Sequence, residues 1–84
     1  MVNIYLFIEL LRAANPTEVL DTLKGQEIAN CKFANVVLLS EQKIVGQLDC
    51  NSYDDASKAI FERISPVDGI VQTNIVAAVR PVRR

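Results

Sequence analysis

Histidine and tryptophan are both missing from this chain of 84 residues, and glycine, proline and cysteine are scarce at three, three and two. Without histidine the commonest general base and metal ligand is gone, so neither a histidine-based catalytic site nor a metal site is expected. Glycines at 25, 46 and 69 form no phosphate-cradling pattern, which leaves nucleotide binding without support. The apolar stretches are broken by Glu9, Arg12, Glu41 or Lys43 well short of the ~20 residues a membrane span needs. The run from Val2 to Leu11 lacks a basic leader and a small-residue cleavage site, so it reads as a first strand and not as a secretory signal. Cys31 and Cys50 are too few and too far apart for a zinc knuckle or a CxxC redox site. They are expected to be free, small, buried hydrophobes in a cytoplasmic protein.

Charge of either sign is also in short supply. Nine basic and ten acidic side chains leave a net charge of -1, which gives no general attraction to nucleic acid or anionic lipid. Arg80, Arg83 and Arg84 around Pro81 form the one basic cluster, and a solvated tail accounts for them. What the chain does have is apolar residues, which make up half of it. At this length they build one domain, residues 1–84, that buries only about 60% of its unfolded surface.

From Asn3 to Leu11 the side chains are mostly aliphatic or aromatic, with Ile4, Leu6 and Ile8 on one face and Tyr5 and Phe7 on the other, which predicts a strand. Asn15 as N-cap, Pro16 at the first helical position and Glu18 in the first turn start a helix, and Gly25 fits the residue just beyond its end. Cys31 to Leu39 and Lys43 to Cys50 form a hairpin around Ser40, Glu41 and Gln42. Ser52 with Asp55 is a second capping pair. Tyr53, Ala56, Ala59, Ile60 and Ile64 then make a helical stripe that ends before Pro66. A turn over Pro66, Val67, Asp68 and Gly69 leads into a last strand, Ile70 to Val79.

Strand, helix, strand, strand, helix, strand is the α+β ferredoxin-like βαββαβ order. It predicts a four-stranded antiparallel sheet in the spatial order 4-1-3-2, with two helices on one face. The other face ought then to be polar, because strands wetted on one side alternate. Here both sides are apolar, with Tyr5, Phe7, Phe33 and Val37 assigned to the uncovered side. Such a face exceeds what soluble monomers usually expose, and a second copy is its simplest cover. Tyr5, Phe7, Phe33 and Val37 are therefore the expected dimer interface, in a dimeric α+β barrel.

Carboxylates offer little chemistry. Asp54 and Asp55 stand at a helix start, where capping explains them. Glu9 and Asp49 interrupt apolar strands, as buried acids or as edge residues paired with arginine. The same fold order serves RNA-recognition domains, but strand three reads Lys43-Ile44-Val45-Gly46-Gln47-Leu48, without the aromatics such a platform stacks on bases.

The opening Ile4-Tyr5-Leu6-Phe7-Ile8-Glu9, the hairpin, the segment from Tyr53-Asp54-Asp55-Ala56 to Ile64 and the closing Val67-Asp68-Gly69-Ile70-Val71-Gln72-Thr73 together form a pattern. It resembles the C-terminal effector-sensing (RAM-like) domain of the leucine-responsive/AsnC transcriptional regulators. The closing segment is similar to that family's "PGV" loop and Thr-bearing last strand. Because the chain begins directly at strand one, a stand-alone module without the helix-turn-helix is expected, with no direct contact to nucleic acid. The resemblance implies transcription regulation without catalysis, a homodimer that can assemble into tetramers or octamers, and a partner regulator. It also implies an amino-acid-like effector bound between dimers, with no cofactor.

By the same resemblance the ligand-binding residues are the hairpin tip, Leu39, Ser40, Glu41 and Gln42, together with Thr73 and Ile75. This tip lacks the family's Gly-x-Tyr-Asp-like element, and Ile75 stands where a second Thr is typical. Glu41 and backbone amides of the tip are a chemically suitable acceptor and donors for an amino acid, while a plain polar turn explains the same residues. The alternative function is a small dimeric α+β barrel enzyme, a cofactor-free oxygenase or isomerase, with Tyr5, Asp49 or Arg80 in an enclosed pocket.

Overall fold

The computed structural model describes residues 1–80, and in it the alternation of the first strand resolves into two faces. The elements run β1 (Val2–Leu10), α1 (Pro16–Gly25), β2 (Cys31–Ser40), β3 (Lys43–Cys50), α2 (Tyr53–Ala59) and β4 (Ile70–Val79), with a π-helical turn, Ile60–Ile64, extending α2. The strands form one antiparallel sheet in the order β2-β3-β1-β4, which is the ferredoxin-like arrangement read from the sequence. Expected basic residues Arg83 and Arg84, with Pro81, lie outside the described residues.

Val2, Ile4, Leu6, Ile8 and Leu10 turn one way from β1 and are buried with Ile44, Leu48 and Cys50 of β3, Val36 of β2, Val19 and Leu23 of α1, and Ala56, Ala59 and Ile64. Asn15 Oδ1 accepts the backbone N–H groups of Thr17 and Glu18 at 3.0 and 3.3 Å, which fixes where α1 begins. At α2, Ser52 Oγ accepts the N–H of Asp55 at 3.1 Å and donates to the Asp55 carboxylate at 3.0 Å. Both caps are local in sequence, and both form where the sequence puts them.

Two expectations are corrected. The second helix is not α-helical throughout. Ser65 N–H donates to Ile60 O at 2.8 Å, five residues back, so one extra residue is taken into the last turn. Ile64 is wholly buried and Phe61 points outward, and Tyr53, counted in the apolar stripe, is exposed. The cysteines are not free. Cys31 and Cys50 face each other directly in the β2–β3 register, with Cα atoms 4.0 Å apart, and are joined as a disulfide. They sit on the helix-covered face, where Cys50 is buried.

Gly69 holds the turn into β4. Its φ of +95° lies in the left-handed region, and a Cβ there would meet Ala14 Cβ at 2.9 Å and Val19 Cγ2 at 3.0 Å. Its carbonyl accepts Leu11 N–H at 2.8 Å, so the turn closes on the start of the first connection. Gly69→Ala combines backbone strain with a steric clash and is expected to lose about 2 kcal/mol in denaturant unfolding. Gly25→Ala, with open space around it, is expected to be neutral or stabilising.

Candidate functional site

The uncovered face of the sheet is best described in rows running β4, β1, β3, β2. At one end stand Gln72, Glu9, Lys43 and Ser40; next come Asn74, Phe7, Val45 and Val37; then Ala77, Tyr5, Gln47 and Asn35; and at the far end Val79, Asn3, Asp49 and Lys32. Phe7, Tyr5, Val45, Val37 and Ala77 thus form an apolar middle bordered by the amides of Asn74, Gln47 and Asn35, and both ends are polar or charged except at Val79. Lys43 Nζ lies 5.3 Å from the centroid of the Phe7 ring, a cation–π distance that partly roofs it. Gln47 Nε2 donates to Asp49 Oδ1 at 3.0 Å. Asn3 Oδ1 is buried on this face with no hydrogen-bond partner.

Of the four expected interface residues, three lie on this face. Tyr5 and Val37 are exposed, at 37% and 46%, and Phe7 is half-buried. Phe33 does not join them. The β2–β3 register shifts between Phe33 and Asn35, so Ala34 is an extra residue and Phe33 turns to the helix side opposite Leu48. There its ring packs on the core and fills the space above Gly46, with Cε1 3.6 Å from where a Gly46 Cβ would be. A glycine inside strand three was the one signal in the sequence that a bulge or an aromatic cover was due. Val45 takes the place assigned to Phe33.

Glu9 and Asp49 are also corrected: neither is fully buried, neither is on an edge strand, and each faces a lysine across the sheet, Lys43 and Lys32 respectively.

The hairpin tip forms one wall of a groove of about 760 Å³. Ser40, Glu41 and Gln42 line it together with Arg12, Ala14 and Pro16, and Leu39 stands beside them, exposed. Arg12 was not among the expected residues. It puts a cation in the lining of the same groove as the Glu41 carboxylate, the two charges that a zwitterion calls for.

Thr73 and Ile75 are not part of this groove. They lie on β4, aligned with Ile8 and Leu6, while the tip belongs to β2 and β3; β2 and β4 are opposite edges of the sheet. Thr73 Oγ1 is buried with no hydrogen-bond partner. One copy of the chain therefore does not assemble the six expected ligand-binding residues into one pocket.

A second groove, about 660 Å³, runs between α1 and the turn before β4, with Glu18, Gln26, Arg63 and Asp68 among its walls. Tyr5, Asp49 and Arg80, the groups an enzyme alternative needs together, line neither groove. No helix among the described residues is long and apolar enough to cross a membrane. Compared with family models, with curated proteins and with solved structures, the chain matches none.

The face assignment has a direct check. Phe33→Ala opens space over Gly46 in the core and is expected to cost about 2–3 kcal/mol, whereas Val37→Ala, on the uncovered side, is expected to cost under about 1 kcal/mol in the same unfolding assay.

Proposed function

We propose that this protein is a non-catalytic effector-binding and self-association module of the leucine-responsive/AsnC type, working in the cytoplasm through a partner regulator. The observation that carries the proposal is the apolar middle of the uncovered sheet face: Phe7, Tyr5, Val45, Val37 and Ala77 lie side by side on three rigid strands and a hairpin strand. Water contact there is unfavourable by about 25 cal/mol for every Å² of apolar surface, and sheet-on-sheet packing of two copies removes it. The charged ends of the face stay at the rim of such a contact, as they do in most interfaces.

The separation of the tip from Thr73 supports the same reading. A pocket that uses both ends needs a β4 edge from one copy and a hairpin tip from another, which is how effectors sit between dimers in the family this chain resembles. In the tip groove, Glu41 accepts from an ammonium group and Arg12 donates to a carboxylate, so an amino acid or a close relative is the proposed effector.

Light scattering on the unmodified chain is expected to give a mass of two copies or a multiple of two. Phe7→Glu, which puts a charge in the middle of the contact, is expected to give single copies of 9.3 kDa. A wild-type mass of 9.3 kDa at high concentration contradicts the self-association. In thermal-shift screening of the twenty amino acids, an effector present at 100 times its Kd adds about 2.7 kcal/mol of stability, so at least one should raise Tm by several degrees. If none does, the sensing role is wrong.

A further inference from the structure

The disulfide has no place in the function proposed above, and the strand it holds is one of the two edges of the sheet. β2 is an edge strand bonded only to β3, and Val36 is its one buried residue. Its ladder is interrupted by register shifts at Phe33/Asn35 and at Leu38/Ser40. An edge strand with two interruptions in its ladder belongs to the part of a domain that can open locally, and beside Val36 and Cys31 only the Phe33 ring ties this one to the core.

What holds the start of β2 is concentrated at one place. Cys31 is bonded to Cys50, 19 residues on, and so closes a ring containing all of β2, the tip and β3. Asn30, just before it, has a left-handed φ of 63°. Asn51, just after Cys50, donates its backbone N–H to Asn30 O at 2.9 Å and its side-chain amide to Asn30 Oδ1 at 3.3 Å. Asn30 Nδ2 in turn reaches Asp55 Oδ1 at 3.4 Å at the start of α2. The covalent bond lies between these two asparagines and keeps their clamp in register.

The two sulfurs differ in access. Cys50 is 1% exposed among core side chains, while Cys31 is only partly buried, at the sheet edge. We propose that Cys31–Cys50 is a reversible redox latch on β2, opened by a small thiol attacking the Cys31 sulfur. The attacking thiolate forms a mixed disulfide with Cys31, the Cys31–Cys50 bond breaks, and Cys50 leaves as a thiolate that takes up the proton the attacking thiol lost. A second small thiolate then attacks the external sulfur of that mixed disulfide, and Cys31 leaves as a thiolate that takes up the proton the second thiol lost. Two external thiols are oxidised to one disulfide, and the protein disulfide is reduced to two thiols.

Cys50 is poised to re-attack the mixed disulfide, because it sits directly opposite Cys31 in the β2–β3 register. Opening therefore completes only when β2 swings away, so the redox step and the strand's detachment are coupled. The hairpin tip, which lines the groove with Arg12, is carried on this strand and loses its fixed position when β2 leaves.

The test uses the unmodified, ligand-free chain, so its outcome is independent of any effector. Hydrogen exchange read by mass spectrometry is compared before and after complete reduction with dithiothreitol. Release of a ring of this size is expected to speed exchange across Cys31–Ser40 on the order of a hundredfold, with β1 still protected. Partial reduction with glutathione, followed by acid quenching and peptide mapping, is expected to find glutathione on Cys31 and not on Cys50. Unchanged exchange in β2, an equal rise through β1, glutathione on Cys50, or two free thiols in the aerobically purified native protein would each overturn the proposal. A Cys31→Ser/Cys50→Ser variant should show the fast β2 exchange in either buffer, and a β2 as protected as in the oxidised protein overturns it as well.

Discussion

Antiparallel pairing of β1 with β3 is the constraint on which the rest depends. These strands run side by side from Val2 opposite Cys50 to Glu9 opposite Lys43, without a register shift. Because side chains alternate, every residue in that ladder is committed to one face, and a slip of one place would exchange core and surface wholesale. Ile4, Leu6, Ile8, Ile44 and Leu48 are sealed completely under the helices. Their neighbours Tyr5, Phe7 and Val45 are thereby held on the opposite side, where this chain has no helix to cover them. The burial that makes the domain stable also fixes the apolar patch through which we propose that it associates.

How much of this was legible in the residues depended on range. Asn15 and Ser52 cap helices through contacts within three residues, so both starts could be placed from the sequence, and the uninterrupted alternation of β1 gave its two faces directly. β2 could not be read the same way. One extra residue at Ala34 reverses the side on which everything before it points, and a single strand's sequence does not say where its partner skips. Phe33 was misplaced for that reason. In the second helix Ile64 is buried and Phe61 is out, as the stripe implied, but the extra residue of the π-helical turn has no signature in that spacing. The disulfide was missed because it depends on register. Counted out from a tip at Glu41 and Gln42, Cys50 falls opposite Phe33, and only the two extra residues of β2, at Ala34 and Leu39, bring Cys31 opposite Cys50. The candidate site was less legible still, since Arg12 reaches the hairpin tip only through the fold.

The stable and the labile parts of the domain are separated in space. The β1–β3 pair with both helices forms the core, while β2 is held by hydrogen bonds to one neighbour, by Val36 and the Phe33 ring and by a cross-link of about 3 kcal/mol at its base. The hairpin tip belongs to the labile part and the apolar face chiefly to the stable part. On the proposals above, self-association and the groove respond to different signals, contact with another copy in the first case and thiol redox state in the second.

The central claim is that the sheet face formed by Phe7, Tyr5, Val37 and Val45 is covered by the same face of a second copy. Isotope-filtered nuclear Overhauser measurements on an equal mixture of labelled and unlabelled chains address it directly. The account predicts cross-peaks between the Phe7 or Tyr5 ring protons of one chain and the Val37 and Val45 methyl groups of another. Absence of any such peak, with relaxation rates of a single 9.3 kDa particle, would contradict it.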